Sequence, residues 1–109
     1  MKRYILLLDL VNDEKLISEY INYHKDIPAA IKNSIFESGI TSMEIYRFQD
    51  RLVMEIIAVE DFSFERKNKL DVNNSQVVAW EKLMSAYQKS IPGTPENVKW
   101  VLAENIFKL

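Results

Sequence analysis

The sequence predicts a single α+β domain built around one antiparallel sheet, and three observations carry that expectation. Apolar residues recur at alternate positions near 3–11, 41–48, 52–59 and 98–109, the period of a strand. They recur at steps of three or four in two other segments, about 12–39 and 74–89, the period of an amphipathic helix. The chain has 109 residues, the size of one domain, and an apolar fraction of 48% suffices for a packed core. The whole chain, 1–109, therefore reads as one unit.

The first strand spans 3–11. Tyr4, Leu6, Leu8 and Leu10 share one face, and Arg3, Ile5, Leu7 and Asp9 the other. Asn12 then offers an N-cap, and Asp13 and Glu14 suit the positive end of a helix dipole. Leu16, Tyr20, His24, Ile27, Ile31 and Ile35 form the apolar stripe of the helix that follows. Pro28 should bend or break it just after His24, and Gly39 stands where a C-cap belongs. The runs 41–48 and 52–59 are rich in Ile, Val, Met and aromatics and form a hairpin about Gln49-Asp50-Arg51, without the ideal Asn-Gly signal. Asp61 to Leu70 reads as a short helix or loop of mostly solvated charge. The second amphipathic helix, roughly 74–89, carries Val77, Trp80, Leu83, Met84 and Tyr87 on its apolar face. Ile91-Pro92-Gly93-Thr94-Pro95 is a rigid connection, and Val98 to Leu109 is the last strand.

The order β-α-β-β-α-β is the split βαβ, or ferredoxin-like, pattern: a four-stranded antiparallel sheet with its helices on one face. Yet the first strand and Leu52 to Val59 are substantially apolar on both faces. A second layer must cover the bare face, and the simplest is a second copy of the same sheet, which gives a homodimer of the dimeric α+β barrel type.

Composition narrows the function. A formal net charge of −2 gives no electrostatic case for nucleic acid or an anionic membrane. The chain lacks the Lys/Arg-Gly-aromatic strand motif of RNA-recognition domains, and Gly39 and Gly93 stand too far apart for a phosphate-gripping loop. With no cysteine there is no disulfide and no thiolate chemistry, which fits a reducing compartment. One histidine and no cysteine leave no usual zinc or iron site; a carboxylate-only magnesium or calcium site stays open, although no Asp/Glu spacing resembles a calcium loop. The run Tyr4 to Leu8 is too short for a signal-peptide core or a membrane span, and a cytoplasmic protein is expected.

His24 is the sole imidazole, the side chain that exchanges protons near neutral pH. Tyr20 lies four residues before it, on the same helix face. The competing reading is a core histidine bonded to a backbone carbonyl beside a core tyrosine. A helix broken at Pro28 opens a mouth beside His24 and adds some weight to the functional reading, which leaves both open on the residues alone. Trp80 is either a core aromatic or a flat wall for the C–H face of a sugar, and Trp100 reads as core. Glu55 and Glu104 interrupt strand patterns and either point into a polar pocket or, the simpler reading, take edge or solvent positions; Arg66-Lys67-Asn68-Lys69 suits a solvated surface.

Taken in order, strand one, Tyr20-x-x-x-His24, Gly39, Met43-Glu44-Ile45-Tyr46-Arg47, Trp80-x-x-x-Met84 and Trp100-Val101 to Phe107-Lys108-Leu109 resemble the L-rhamnose mutarotase family, which includes related L-fucose mutarotases. The resemblance covers essentially the whole chain. Glu44-Ile45-Tyr46-Arg47 and the Phe-Lys-Leu ending look closer to the fucose-type branch. It implies a ferredoxin-like homodimer that interconverts the α and β anomers of a 6-deoxy-L-hexose, a monosaccharide substrate, without metal or cofactor. It implies His24 as the catalytic proton donor, with Tyr20 and Trp80 shaping the sugar pocket. Two further substrate positions fall on Met43, a tyrosine in rhamnose-type members, and on Glu81, a tryptophan there. After the histidine the family commonly has a stretch like Ile-Trp-Pro-Glu. Here it is Ile27-Pro28-Ala29-Ala30, which makes that wall smaller and less polar. Two alternatives share the fold: a relative that binds a sugar or other small ligand without turning it over, and a dimeric α+β-barrel monooxygenase acting on haem or a phenol.

Overall fold

A computed structural model describes all 109 residues. Its elements run β1 (Lys2–Leu10), α1 (Glu14–Lys25), α2 (Ala29–Glu37), β2 (Ile40–Phe48), β3 (Arg51–Ala58), α3 (Phe64–Val72), α4 (Ser75–Ser85), β4 (Gln88–Lys89) and β5 (Val101–Leu102). The strands form one antiparallel sheet in the order β2-β3-β1-β4, with β5 also paired to β1. This is the ferredoxin-like α+β architecture, with the first helix broken in two and the fourth edge shared by two short strands.

Local chemistry explains each boundary. The N-cap of α1 is Asp13 rather than the expected Asn12: its carboxylate accepts the Leu16 N–H at 3.0 Å. A full negative charge suits the positive end of a helix better than a neutral amide. Pro28 disfavours helical backbone at Ile27, so α1 ends at Lys25, and Pro28 is the N-cap residue before α2. Gly39 then turns the chain with φ +99°, and its carbonyl accepts the Val59 N–H at 3.0 Å. A Cβ there would meet Val59 Cγ2 at 3.0 Å. The β2–β3 hairpin closes through Gln49-Asp50, where Gln49 takes φ +53° in place of the missing glycine.

Two expectations fail near the end of the chain. The helix 74–89 stops at Ser85, because the Tyr87 carbonyl accepts the Val11 N–H at 2.8 Å and draws the chain onto the sheet. The strand expected over 98–109 shrinks to Val101–Leu102, extended by one bond from the Ala103 N–H to the Ile5 carbonyl at 2.7 Å. β4 already occupies the edge of β1 at Asp9 and Leu10, and β5 takes only Leu6 and Leu7. Between them the chain leaves the sheet through Pro92, Gly93, Pro95 and Asn97, the last at φ +65°. Proline cannot donate to a strand ladder, which keeps this excursion out of the sheet.

The register divides the sheet into two unlike faces. Tyr4, Leu6, Leu8 and Leu10 of β1 lie beside Leu52, Met54, Ile56 and Ala58 of β3, under the helices. Leu8, Leu10, Ile56 and Ala58 are essentially sealed from solvent. On the opposite face one row crosses the whole sheet, Tyr46–Val53–Leu7–Val101, flanked by Ile5, Ile57 and Phe48. No element of the chain covers it, and Phe48 and Tyr46 are 75% and 56% exposed. Two cross-strand ion pairs punctuate this face: Arg51 grips Asp9 with both ends of its guanidinium at 2.8 and 3.1 Å, and Arg3 meets Glu55 at 3.5 Å. Glu55 thus faces the bare side of the sheet and not a pocket. No helix is long and apolar enough to cross a membrane.

Candidate active site

Between the helices and the covered face of the sheet lies a cavity of about 300 Å³. That is the lower end of the range for small-molecule sites, and enough for a monosaccharide. His24, Tyr20, Met43, Trp80 and Glu81, far apart in sequence, all line it. They arrive from three directions. Tyr20 and His24 come from the inner stripe of α1, Met43 from β2 on the covered face, and Trp80 with Glu81 from α4.

Tyr20 is buried at 3% exposure, and His24, one turn on, is half-buried at the open end of α1. Their rings lie 4.4 Å apart between centroids, inclined by 37°. The His24 ring meets that of Trp80 edge to face, 5.8 Å between centroids. The Nδ1 of His24 sits 2.8 Å from the Tyr20 carbonyl oxygen. A carbonyl only accepts, so Nδ1 carries a hydrogen and donates it. In neutral His24 the basic lone pair therefore lies on Nε2, which has no partner in the protein. The carbonyl bond predicted for a core histidine is present, but it engages one nitrogen only. It fixes the tautomer and leaves the other nitrogen free.

The Tyr20 hydroxyl receives a hydrogen bond from Gln88 Nε2 at 3.4 Å. Burial pushes the phenol above its ordinary value; the Gln88 bond opposes this and the Glu81 charge adds to it. Tyr20 is thus a neutral phenol across the physiological range, with its own hydrogen free to donate. Glu81 is held at the rim by Lys99, whose ammonium lies 3.7 Å from its carboxylate and also donates to the Glu81 carbonyl at 3.2 Å. Elsewhere the lining is mainly aliphatic and aromatic, with Ile27, Ile31, Ile35 and Met84 prominent. Ala29 and Ala30 do not reach it.

Several lining residues escaped the sequence reading. Trp100, read as core, packs against both halves of the core and also lines the cavity. Lys67, read as part of a solvated basic cluster, turns inward and pairs with Asp71 at 2.6 Å on the cavity wall. The i, i+4 spacing of Lys67 and Asp71 was the available signal. Gln88, placed at the end of a helix, belongs to a strand and reaches the cavity; nothing in its neighbours marked it. No three His, Asp or Glu side chains converge as a metal site would require.

Comparison with known proteins gives the family and the fold. A family model described as L-rhamnose mutarotase matches residues 3–109. An L-fucose mutarotase of Xanthomonas campestris pv. campestris is 36% identical over 111 residues, which cover all of this chain and 89% of that protein. A UPF0734 protein of Dictyostelium discoideum is 34% identical over 88% of this chain and 78% of its own length. Among solved structures, an L-rhamnose mutarotase from Formosa agariphila superposes with a TM-score of 0.73 at 17% identity, covering 100% and 99% of the two chains. Tetracenomycin F2 cyclase from Streptomyces glaucescens gives 0.63 at 18% identity over 100% and 97%. At such identities the two structures speak for the fold.

Proposed function

The chain belongs to the L-rhamnose mutarotase family, and on that premise we propose that it interconverts the α and β anomers of a 6-deoxy-L-hexose with His24 as its acid–base group. L-fucose is the first sugar to test, since the full-length relative at 36% identity is named for it. The observation that carries the proposal is the single-ended anchoring of His24: Nδ1 bound at 2.8 Å to the Tyr20 carbonyl, Nε2 free, beside a cavity of monosaccharide size.

Mutarotation opens a hemiacetal and recloses it on the other face. One proton must reach the ring oxygen O5 while another leaves the anomeric hydroxyl O1. Protonated His24 gives its Nε2 proton to O5 as the C1–O5 bond breaks, and water takes the O1 proton as the C1 carbonyl forms. After rotation about C1–C2 both transfers reverse, so no net proton is consumed. The Tyr20 hydroxyl donates to whichever sugar oxygen carries growing negative charge. The edge and face of Trp80, with Met43 and the isoleucines, accept the C–H face and the C6 methyl. Glu81 borders the sugar from the rim.

The bare sheet face supports a second part of the proposal: two copies pair through it, burying the row Tyr46–Val53–Leu7–Val101. Saturation-transfer NMR on an equilibrated sugar tests the activity directly. Faster exchange between the anomeric protons of L-fucose or L-rhamnose is expected. Binding without faster exchange, for these sugars and their stereoisomers, would move the protein to the non-catalytic reading.

A further inference from the structure

From the placement of Gln88 we infer that its side-chain amide reads one ring hydroxyl of the sugar and so sets which monosaccharide the cavity accepts. This rests on the sugar-isomerising reading above and adds a specificity-determining residue to it.

Gln88 begins β4 and lies opposite Leu10 in the register with β1. Leu10 is 1% exposed on the helix-covered face, so Gln88 projects to that same face. There it lines the cavity with Tyr20 and Met84, next to its cross-strand partner Leu10. An aliphatic residue would satisfy such a position, and an amide costs stability unless both of its ends find partners. One end does: Nε2 donates to the Tyr20 hydroxyl at 3.4 Å. The other does not: Oε1 is the one buried side-chain polar atom in the molecule without a hydrogen-bond partner. Turning the amide over exchanges the two ends and still leaves one unpartnered. A sugar hydroxyl both donates and accepts, so it satisfies either orientation.

Gln88 lines the same cavity as His24 and Trp80, and it touches Tyr20, which lies against His24. A sugar whose O5 faces His24 therefore offers a ring hydroxyl to the far side of Tyr20. The amide end that has no partner within the protein then finds one in the sugar. Sites of this kind reject analogues that lack the hydroxyl, because the buried polar group is again left alone. The same amide holds the oxygen of Tyr20, so hydroxyl recognition and orientation of the phenol are joined in one side chain.

The test is a cycle between the Gln88→Met variant and the monodeoxy analogues of L-fucose, each lacking one ring hydroxyl, read as kcat/KM for anomer exchange by saturation-transfer NMR. The native chain should lose about tenfold or more on one analogue and much less on the others. Gln88→Met should lose a similar factor on L-fucose and nothing further on that one analogue. Equal losses for the variant on every sugar, or no loss at all, overturn the inference, since a merely structural role predicts one or the other. Should Gln88→Met fail to fold, Gln88→Glu carries the test. It keeps an acceptor toward the cavity and should retain the discrimination; losing it overturns the inference. Absence of exchange by the native chain with any of these sugars overturns the isomerase reading and this inference together, whereas exchange without coupling overturns this inference alone.

Discussion

Replacing His24 with alanine separates the chemistry of the imidazole from its structural part. The structural cost follows from its contacts. The Nδ1–H bond to the Tyr20 carbonyl contributes about 1 kcal/mol, since that carbonyl keeps its helical partner. Ring contacts with Tyr20 at 4.4 Å and Trp80 at 5.8 Å add about 1 kcal/mol. Alanine returns about 0.5 kcal/mol through its better helix propensity. The net loss is about 1.5 kcal/mol, or roughly 6 °C in Tm for a domain of this size. The fold thus survives at 25 °C. The chemical cost is larger: a positioned acid–base group supplies roughly 10²–10⁴-fold, about 3–5 kcal/mol of barrier. Anomer exchange by saturation-transfer NMR, beside a melting curve on the same sample, reads both terms. A stable His24→Ala variant that exchanges anomers at the native rate would refute the role given to His24 and leave the fold untouched.

The remaining predictions concern pH, assembly and one turn. Tyr20 is held above its ordinary value, and burial with a Tyr23 hydrogen bond pushes Tyr87 up to about 12. Each folded phenol keeps its proton longer than the unfolded one, so their contribution is whole below about pH 10 and is lost as pH rises toward the folded values. Melting temperature should therefore fall between about pH 10 and 12, and a Tyr20→Phe, Tyr87→Phe double variant should flatten that fall; an unchanged slope contradicts it. Val53 sits at the centre of the bare sheet row, between Leu7 and Tyr46. Val53→Lys should give a folded monomer by light scattering where the native chain gives a dimer, and a native monomer at micromolar concentration sinks the pairing proposal. Gly39→Ala should cost about 1–3 kcal/mol by denaturant unfolding, because φ +99° strains any Cβ and Val59 Cγ2 stands 3.0 Å away.

Much of the fold was legible because it depends on periodicity. The stripe from Leu16 to Ile35 and the alternation in β1, β2 and β3 found their elements, and Pro28 broke the helix where its backbone chemistry required. The closing strand departs from its pattern for a physical reason. Residues 98–109 alternate as a strand does, but alternation does not provide a free edge, and β4 had already taken part of it. Ile106, Phe107 and Leu109 end up exposed in consequence. Lys67 leaves the solvated run of charges because Asp71, one turn away, pairs with it.

The cavity is legible for some residues and silent for others, and the difference is instructive. Tyr20, His24 and Trp80 lie on apolar stripes, so periodicity alone turns them inward whatever they do there. Gln88 obeys no stripe. It follows the apolar face of α4 and precedes a lysine, and only the register with Leu10 reveals that it points under the helices. The two places where regular structure gives out, the Pro28 break and the divided β4–β5 edge, both border this cavity, through Ile27 on one side and Gln88 and Trp100 on the other. A continuous α1–α2 helix would carry Ile27 past the opening, and a continuous fourth strand would leave no excursion from which Trp100 returns. The irregularities that defeat a sequence reading are therefore the ones that make room for a ligand between helices and sheet, and the polar atom left without a partner lies on one of them.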